Sequence, residues 1–467
     1  MGSLKAKELS KIGYTNDQTR SLVINIISKH FKHHSKTDII RLLTDIITQP
    51  ENYLEDEITG KIAATFIEQA TPECNYRSFQ LLEQTGQLKI YGAKEIEHTA
   101  KLQMETAMSL PITVQGALMP DAHMGYGLPV GGVLATDNAV LPYAVGVDIG
   151  CRMMLSILDT GESFLKRFSY QLKVALKEYT HFGMEGGLPF EQSHEVMDSP
   201  AFQATDLLTK LQHKAWRQLG SSGSGNHFVE FGMIELKEDN IMQLLPGKYL
   251  ALLSHSGSRG LGAAIAQHYT AIAMDTCRLP KSAKQLAWLD LDSEAGQEYW
   301  LSMNLAGDYA RACHERIHIN LIKALGLQAL KQVQNHHNFA WEETLQDGRK
   351  VVIHRKGATP AHAGELGIIP GSMCTPAYLV AGKGEESALY SASHGAGRLM
   401  SRQRAREQMT ASALKKMLSA AGVTLIGGSV EENPAAYKDI DTVIAAQQQL
   451  IDIQGKFMPV IVRMNKE

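Results

Sequence analysis

Two stretches of the sequence place a histidine where an apolar run gives way to small residues and then an arginine: Ser254-His255-Ser256-Gly257-Ser258-Arg259-Gly260 and Ser393-His394-Gly395-Ala396-Gly397-Arg398. Glycine lets backbone approach a ligand, free N–H groups at a turn or helix start hold phosphate oxygens, and an arginine four residues past the histidine adds a two-pronged phosphate contact. The histidine can serve as metal ligand, base or nucleophile. Taken singly, a strand-end histidine is more often a structural group; the repetition of the pattern raises its weight. A third segment, Gly220-Ser221-Ser222-Gly223-Ser224-Gly225-Asn226-His227-Phe228-Val229-Glu230, puts the glycines before the histidine and an apolar run after it. It reads as a phosphate cradle rather than a linker. It lacks the Lys-Ser/Thr of a Walker loop, and Gly125-Tyr126-Gly127 lacks the third glycine of a dinucleotide fingerprint.

Asp148-Ile149-Gly150-Cys151 sets a carboxylate and a thiol three residues apart. Together they can hold one ion, with the thiolate able to bridge two; the alternative is a buried free cysteine beside a turn-capping aspartate. His336-His337-Asn338 offers further donors in need of partners. Formal charge is only -3, from 46 basic and 49 acidic residues, so a polyanion must be met by a local cluster. Arg398, Arg402, Arg404 and Arg406 form one; a solvated basic helix face is its other reading.

The elements that must position these groups change along the chain. Leu22, Val23, Ile26 and Ile27, then Ile39, Ile40, Leu43, Ile46 and Ile47, recur at helical spacing, with Thr37-Asp38 as a cap and Pro50 beyond the second run. A small helical accessory domain over residues 1–85 is expected, its basic His-rich stretch at 29–34 reading as a solvated helix end, with a nucleic-acid contact as its other reading. From residue 86 the texture is β-prone: 130–147 reads as strands joined by tight turns, and 249–254 and 388–393 as strands leading into the two Ser-His loops. Residues 263–274 and 285–324 read as helical, 439–453 as a helix and 459–462 as a last strand. The mixture predicts an α+β fold, one large catalytic domain over 86–467 after the helical one.

Composition bounds the rest. The chain has 467 residues, 44% of them apolar and 20% charged, which describes a globular protein with a substantial core. Five cysteines, Cys74, Cys151, Cys277, Cys313 and Cys374, show no C-x-x-C spacing, so neither a disulfide framework nor a zinc finger is encoded. A polar N-terminus and the lack of any run of 18 apolar residues predict no membrane span and no export. A cytoplasmic monomer is the expectation.

Taken in order, Pro120-Asp121-Ala122-His123-Met124-Gly125, Gly146-Val147-Asp148-Ile149-Gly150-Cys151, Gly225-Asn226-His227-Phe228-Val229-Glu230, the Ser254 loop, His336-His337-Asn338, Arg355-Lys356-Gly357-Ala358, Gly367-Ile368-Ile369-Pro370-Gly371-Ser372-Met373, the Ser393 loop and Tyr437-Lys438-Asp439-Ile440-Asp441 resemble the motifs of RtcB RNA ligases. The resemblance runs from about residue 90 to the C-terminus. It implies a GTP- and manganese-dependent ligase that joins RNA 2′,3′-cyclic phosphate or 3′-phosphate ends to 5′-hydroxyl ends.

By the same resemblance, Asp148, Cys151, His227, His255 and His337 are the ligands of two Mn2+ ions, and His394 is the nucleophile that becomes guanylylated. Asn226, His227, Phe228, Val229, Glu230, His337, Asn338, Pro370, Gly371, Ser372, Met373, His394, Gly395, Ala396 and Gly397 form the GTP pocket, with Tyr437 packing on guanine. Arg398 and Arg402, four apart and on one face if that segment is helical, are candidates for RNA phosphates. The partner is RNA with broken ends.

Four positions depart from the family pattern: Arg152 in place of glycine, Tyr126 in place of lysine, Ala377 in place of a guanine-contacting serine, and Met464 in place of a C-terminal base-contacting lysine. The last two bear on guanine recognition and would weaken base discrimination by roughly 1–3 kcal/mol. The alternative enzyme is a metal-dependent nucleotidyltransferase or phosphoesterase that caps or processes nucleic-acid ends without sealing them. A nucleic-acid binding protein with a degenerate site is disfavoured by the full set of metal-type donors and His394.

Overall fold

A computed structural model describes residues 6–15, 17–31, 34–67, 76–83, 86–183, 188, 190 and 192–466. The chain divides into two compact units, Met1–Asn75 and Tyr76–Glu467. The boundary falls ten residues before the expected one. Tyr76 and its successors belong to the larger unit because Arg77–Ser78 pairs in parallel with Cys277–Arg278.

The smaller unit is helical, as its periodicity requires. Helix Lys36–Thr48 buries Ile39, Leu43 and Ile46, against which Val23, Ile27 and Tyr14 pack. Its cap is Ser35 rather than Thr37: the Ser35 hydroxyl oxygen accepts from Asp38 N and its proton goes to the Asp38 carboxylate. Lys32 and His33 of the His-rich stretch lie outside the described residues.

Two sheets organise the larger unit. The strand order of the first runs Ala329–His336, Arg152–Leu158, Gly247–Ser256, Phe228–Leu236, Ile451–Met464, Ala377–Gly382 and Leu366–Pro370, with Thr424–Ile426 joined to Ile451–Met464. The second runs Asn338–Thr344, Lys350–Lys356, Val130–Thr136, Thr113–His123 and Gln87–Ile90. His337 is thus the one residue between a strand of the first sheet and a strand of the second. The stretch expected as a helix over 439–453 is helical only at Ile440–Ala445. From Ile451 it joins the 14-residue strand Ile451–Met464, because pairing on both flanks outweighs its helical periodicity.

Alternation along the strands of the first sheet sorts side chains onto two faces. Leu250, Leu252, Val229 and Phe231 pack with Ile317 and Leu321 of the long helix Glu294–Leu325. Met153, Leu155, Ile157, Ala251, Leu253 and Ile234 pack on the opposite face with Ile368 and Leu379. Burying each large aliphatic chain contributes about 1.5–3 kcal/mol. Cys151 and His255 continue the second series and Ser254 the first, so side-chain parity places the two donors away from the long helix.

Candidate metal and nucleotide site

Three donors reach one place because their strands are neighbours in register. His255 lies opposite Met153 on one side and Phe228 on the other, while Cys151 and His227 immediately precede those two strands. The fourth, His337, follows the strand whose last residue, His336, pairs with Arg152. Its N–H donates to the Cys151 carbonyl at 3.0 Å, and Gly150 N–H donates to the Asn338 carbonyl at 2.7 Å, which ties the two loops together.

Cys151 Sγ lies 3.3 Å from His255 Nε2 and 3.4 Å from His227 Nε2, and His255 Nε2 lies 3.2 Å from His337 Nε2. Asp148 Oδ2 is 3.0 Å from His227 Nε2. Two overlapping triads, Cys151 with His255 and His337, and Asp148 with Cys151 and His227, could each hold a metal ion. Burial and the neighbouring histidines pull His255 down to about 3 and His337 well below its ordinary value, so both offer lone pairs. Burial and the adjacent Asp148 charge push the Cys151 thiol up, a bias that a bound cation reverses. Burial alone would raise Asp148; the hydrogen bond and charge of His227 outweigh it and bring the carboxyl to about 2. Soft sulfur, three imidazoles and one carboxylate with contacts under 3.5 Å make a donor set that suits a transition-metal cation.

Glycine is required where the loops touch these ligands. A Cβ on Gly257 would lie 2.0 Å from Asp148 Oδ1, and one on Gly223 would lie 1.9 Å from His227 Nδ1.

His255 is also braced from behind. His314 Nε2 faces the Ser256 carbonyl at 3.1 Å, Ser254 Oγ lies 2.6 Å from His314 Nδ1 and 2.8 Å from His318 Nε2, and Ser156 Oγ lies 2.7 Å from His318 Nδ1. Gln332 Nε2 donates to Ser156 Oγ at 2.9 Å. A carbonyl only accepts, so with neutral rings every proton in this chain is assigned: His314 and His318 both carry theirs on Nε2. Burial keeps the rings neutral, pulling His318 down to about 3 and His314 well below its ordinary value. Arg152, on the same face as Ser254, donates to the Gly307 carbonyl and to Gln334, which gives the departure from glycine a structural role.

Next to the cluster, His394 follows the short strand Ser391–Ser393, and its ring centre is 4.9 Å from that of His337. Asp121, fully buried, places Oδ2 2.7 Å from His394 Nδ1 and accepts from the N–H groups of His394 and Gly395. Burial would raise the Asp121 carboxyl; the His394 hydrogen bond, with the charges of His394 and Lys438, outweighs it and holds the carboxyl low. With Nδ1–H given to Asp121, Nε2 is the ring nitrogen left for chemistry.

A cavity of about 340 Å3 opens over this cluster. Of the expected nucleotide residues, Asn226, His227, Phe228, Glu230, His337 and Asn338 line it, as do Pro370, Gly371, Ser372, Met373, His394, Gly395, Ala396, Gly397 and Tyr437. Val229 does not line it. Strand alternation turns that side chain to the other face, where it is fully buried with Phe231 and Leu252. Asn338 is fixed by its own amide, which accepts from Gly357 N–H at 2.9 Å and faces the Asp148 carbonyl. Ala377 and Met464 both line the cavity, and Met464 pairs with Phe228 and packs with Met373 and Val462.

The arginines are arranged differently from the expectation. Helix Arg402–Gln408 starts at Arg402 behind the Ser401 cap, so Arg398 lies outside it and the two share no helical face. Arg398 donates to Glu432 Oε2 at 3.0 Å, with its guanidinium over the Tyr437 ring, and Tyr437 OH also donates to Glu432. Arg402 lies 3.4 Å from Glu432 Oε1, and Arg406 2.5 Å from Glu431 Oε2. Two buried carboxylates therefore neutralise much of this cluster. The residues that motif reading left without roles include Asp121 and Lys356. Lys356, buried in the cavity wall and pulled down to about 7 by burial, donates to the carbonyls of Tyr126 and Tyr143. Both sit inside segments already singled out, but no spacing rule links Asp121 to a histidine 273 residues away.

The family model described as tRNA-splicing ligase RtcB matches residues 103–465. The chain belongs to the RtcB family. It is 30% identical over 397 residues to the RNA-splicing ligase RtcB of Escherichia coli K12, covering 77% of this chain and 92% of that one. It is 33% identical over 417 residues to the RNA-splicing ligase RtcB of Mycobacterium tuberculosis (74% and 96%), and 31% identical over 454 residues to the tRNA-splicing ligase RtcB of Nanoarchaeum equitans (80% and 94%). The RtcB match begins after the helical unit and takes in the whole donor cluster, Asp121 and His394. Among the described residues of this RtcB chain, no helix is long and apolar enough to cross a membrane.

Proposed function

We propose that this RtcB-family chain is an RNA ligase that joins 2′,3′-cyclic phosphate or 3′-phosphate ends to 5′-hydroxyl ends, consuming GTP through a guanylylated His394. The observation that carries the reading is the pairing of buried Asp121 with His394 beside a cluster of metal-type donors in one cavity.

Asp148, Cys151, His227, His255 and His337 would hold two Mn2+ ions, whose chemistry when bound is to offset charge on the triphosphate and on the departing pyrophosphate. Asp121 keeps the His394 proton on Nδ1, so the Nε2 lone pair attacks the α-phosphorus of GTP. A P–N bond forms, the bond to the β-phosphate oxygen breaks, and pyrophosphate leaves. The guanylyl group passes to an oxygen of the RNA 3′-phosphate, which frees His394. The 5′-hydroxyl oxygen then attacks that 3′-phosphorus and GMP leaves; a cyclic end is first opened by water. The glycines at 395 and 397 keep backbone close to phosphate oxygens.

The test is incubation with Mn2+ and α-labelled GTP, scoring acid-labile label on His394 and sealing of cyclic-phosphate RNA to 5′-hydroxyl RNA. Label and sealing, both lost in His394→Ala, are expected. Label without sealing would select an end-capping nucleotidyltransferase instead, and no label with any nucleotide overturns both.

A further inference from the structure

Helix Asp206–Gln218 begins at the Thr205 cap, whose hydroxyl oxygen accepts from Leu208 N–H, and buries Leu208, Ala215 and Gln218. It is anchored next to the site. Gln218 Oε1 accepts from Gly260 N–H at 3.0 Å, at the end of the loop that carries His255, and Tyr309 OH donates to the Ala215 carbonyl at 2.7 Å. Lys214 runs along the same loop, since a Cβ on Gly260 would lie 2.6 Å from its Cε.

The outer face carries Lys210, His213, Lys214 and Arg217, all exposed and spaced i, i+3, i+4, i+7, so they form one stripe about 10 Å long. Asp206 is the helix's sole acidic residue, and among the described residues none of the four basic ones is ion-paired. Trp216 borders the stripe, 54% exposed, with its indole N–H donated to the Gln192 carbonyl so that the ring is held in place. The contrast with Arg398, Arg402 and Arg406, which face buried carboxylates, is direct.

We propose that this face of helix Asp206–Gln218 docks the phosphate backbone of the single-stranded RNA end that enters the site, with Trp216 as a stacking platform for a base. The inference rests on the ligase reading. Unpaired cations on a rigid helix complement a polyanion, and an exposed, fixed aromatic beside them is what a base stacks on. The last turn meets Gly260, three residues beyond Gly257, which lies against Asp148, so the face stands next to the centre.

The experiment uses the full chain with Mn2+ and a fluorescein-labelled single-stranded 5′-hydroxyl RNA, read by anisotropy across a KCl series. The triple variant Lys210→Glu, Lys214→Glu, Arg217→Glu is expected to weaken binding at least tenfold and to flatten the log–log salt slope by about 2, near 0.7 per charge lost. Trp216→Ala is expected to weaken binding roughly 5- to 100-fold with the slope unchanged. Guanylylation of His394 by GTP stays within twofold in both, which separates lost docking from lost folding. An unchanged affinity and slope in the triple variant overturns the proposal, as does a parent chain that binds no RNA. A parent that binds RNA with the expected slope change but never seals it removes the ligase reading and leaves the docking face standing.

Discussion

Asp121 Oδ2 lies 2.7 Å from His394 Nδ1, and the carboxyl group is wholly buried. In the proposed guanylylation, a buried carboxylate in this position would select the ring tautomer and stabilise positive charge on the ring as Nε2 bonds to phosphorus. Asp121→Asn should therefore slow guanylylation of His394 by roughly 10²- to 10⁴-fold while the KM for GTP changes little. Single-turnover labelling with α-labelled GTP checks this; a rate within threefold of the parent would falsify the role.

The donor cluster makes a separate prediction. Metal bound only by the native state raises stability, by about 2.7 kcal/mol at 100 times the Kd. Mn2+ should raise the Tm of the metal-free chain, and His255→Ala should lose most of that shift together with the second bound ion counted by metal analysis. A full shift and two ions in His255→Ala would remove His255 from the ligand set.

Ala377 and Met464 bring a methyl and a thioether to the cavity wall where the family pattern expects polar contacts to guanine. Discrimination of GTP from ATP should be weaker by roughly 1–3 kcal/mol than in a site with both contacts, about 5- to 150-fold. The double variant Ala377→Ser, Met464→Lys should recover it, measured as the ratio of His394 labelling rates with the two nucleotides. A ratio that the double variant leaves unmoved refutes the assignment of these positions to the base.

The buried chain from Gln332 to the Ser256 carbonyl predicts a pH signature. Burial brings His318 to about 3 from an unfolded value near 6.5. The folded state then binds fewer protons than the unfolded one between those values. Stability is fully present above about pH 6.5 and is lost as pH falls towards 3, by about 1.4 kcal/mol per unit at most for this ring. Urea unfolding from pH 7 to 5 should show His318→Asn with a shallower decline than the parent, and nitrogen-15 spectra should show Nε2–H tautomers for His314 and His318. A ring that titrates near pH 6.5 in the folded chain would contradict the proton assignment.

The local chemistry of the site was legible in the residues themselves. Small residues around His255 and His394, the glycines before His227 and the Asp148–Cys151 spacing announce backbone that approaches a ligand, because only glycine tolerates such contact. Helix signals were equally local at Lys36–Thr48, whose apolar spacing needs no distant partner to be read; the helix expected over 285–324 begins only at Glu294, because Leu289–Asp290 pairs with Ala139–Val140. The end of the chain was not, since residues from Ile451 onward take their strand form from neighbours on both sides.

What residue types and spacing left open, and only the resemblance anticipated, is which groups meet. Strand order and register bring Cys151, His227, His255 and His337 to one end of a sheet, and pleat parity sends Phe228 and Glu230 into the cavity and Val229 to the core. Neither follows from spacing along the chain, because pairing between strands is a long-range choice. The same holds for charge: Arg398 and Arg402 look like a phosphate clamp until Glu431 and Glu432 fold against them, while the helix that carries Lys210, Lys214 and Arg217 looks like an ordinary solvated one until the fold sets its Lys214 and Gln218 against Gly260 of the His255 loop. Residue types determined what chemistry the chain could support; packing determined which residues stand together for it, since electrostatic and hydrogen-bonding partners act over a few ångströms of space whatever their distance in sequence.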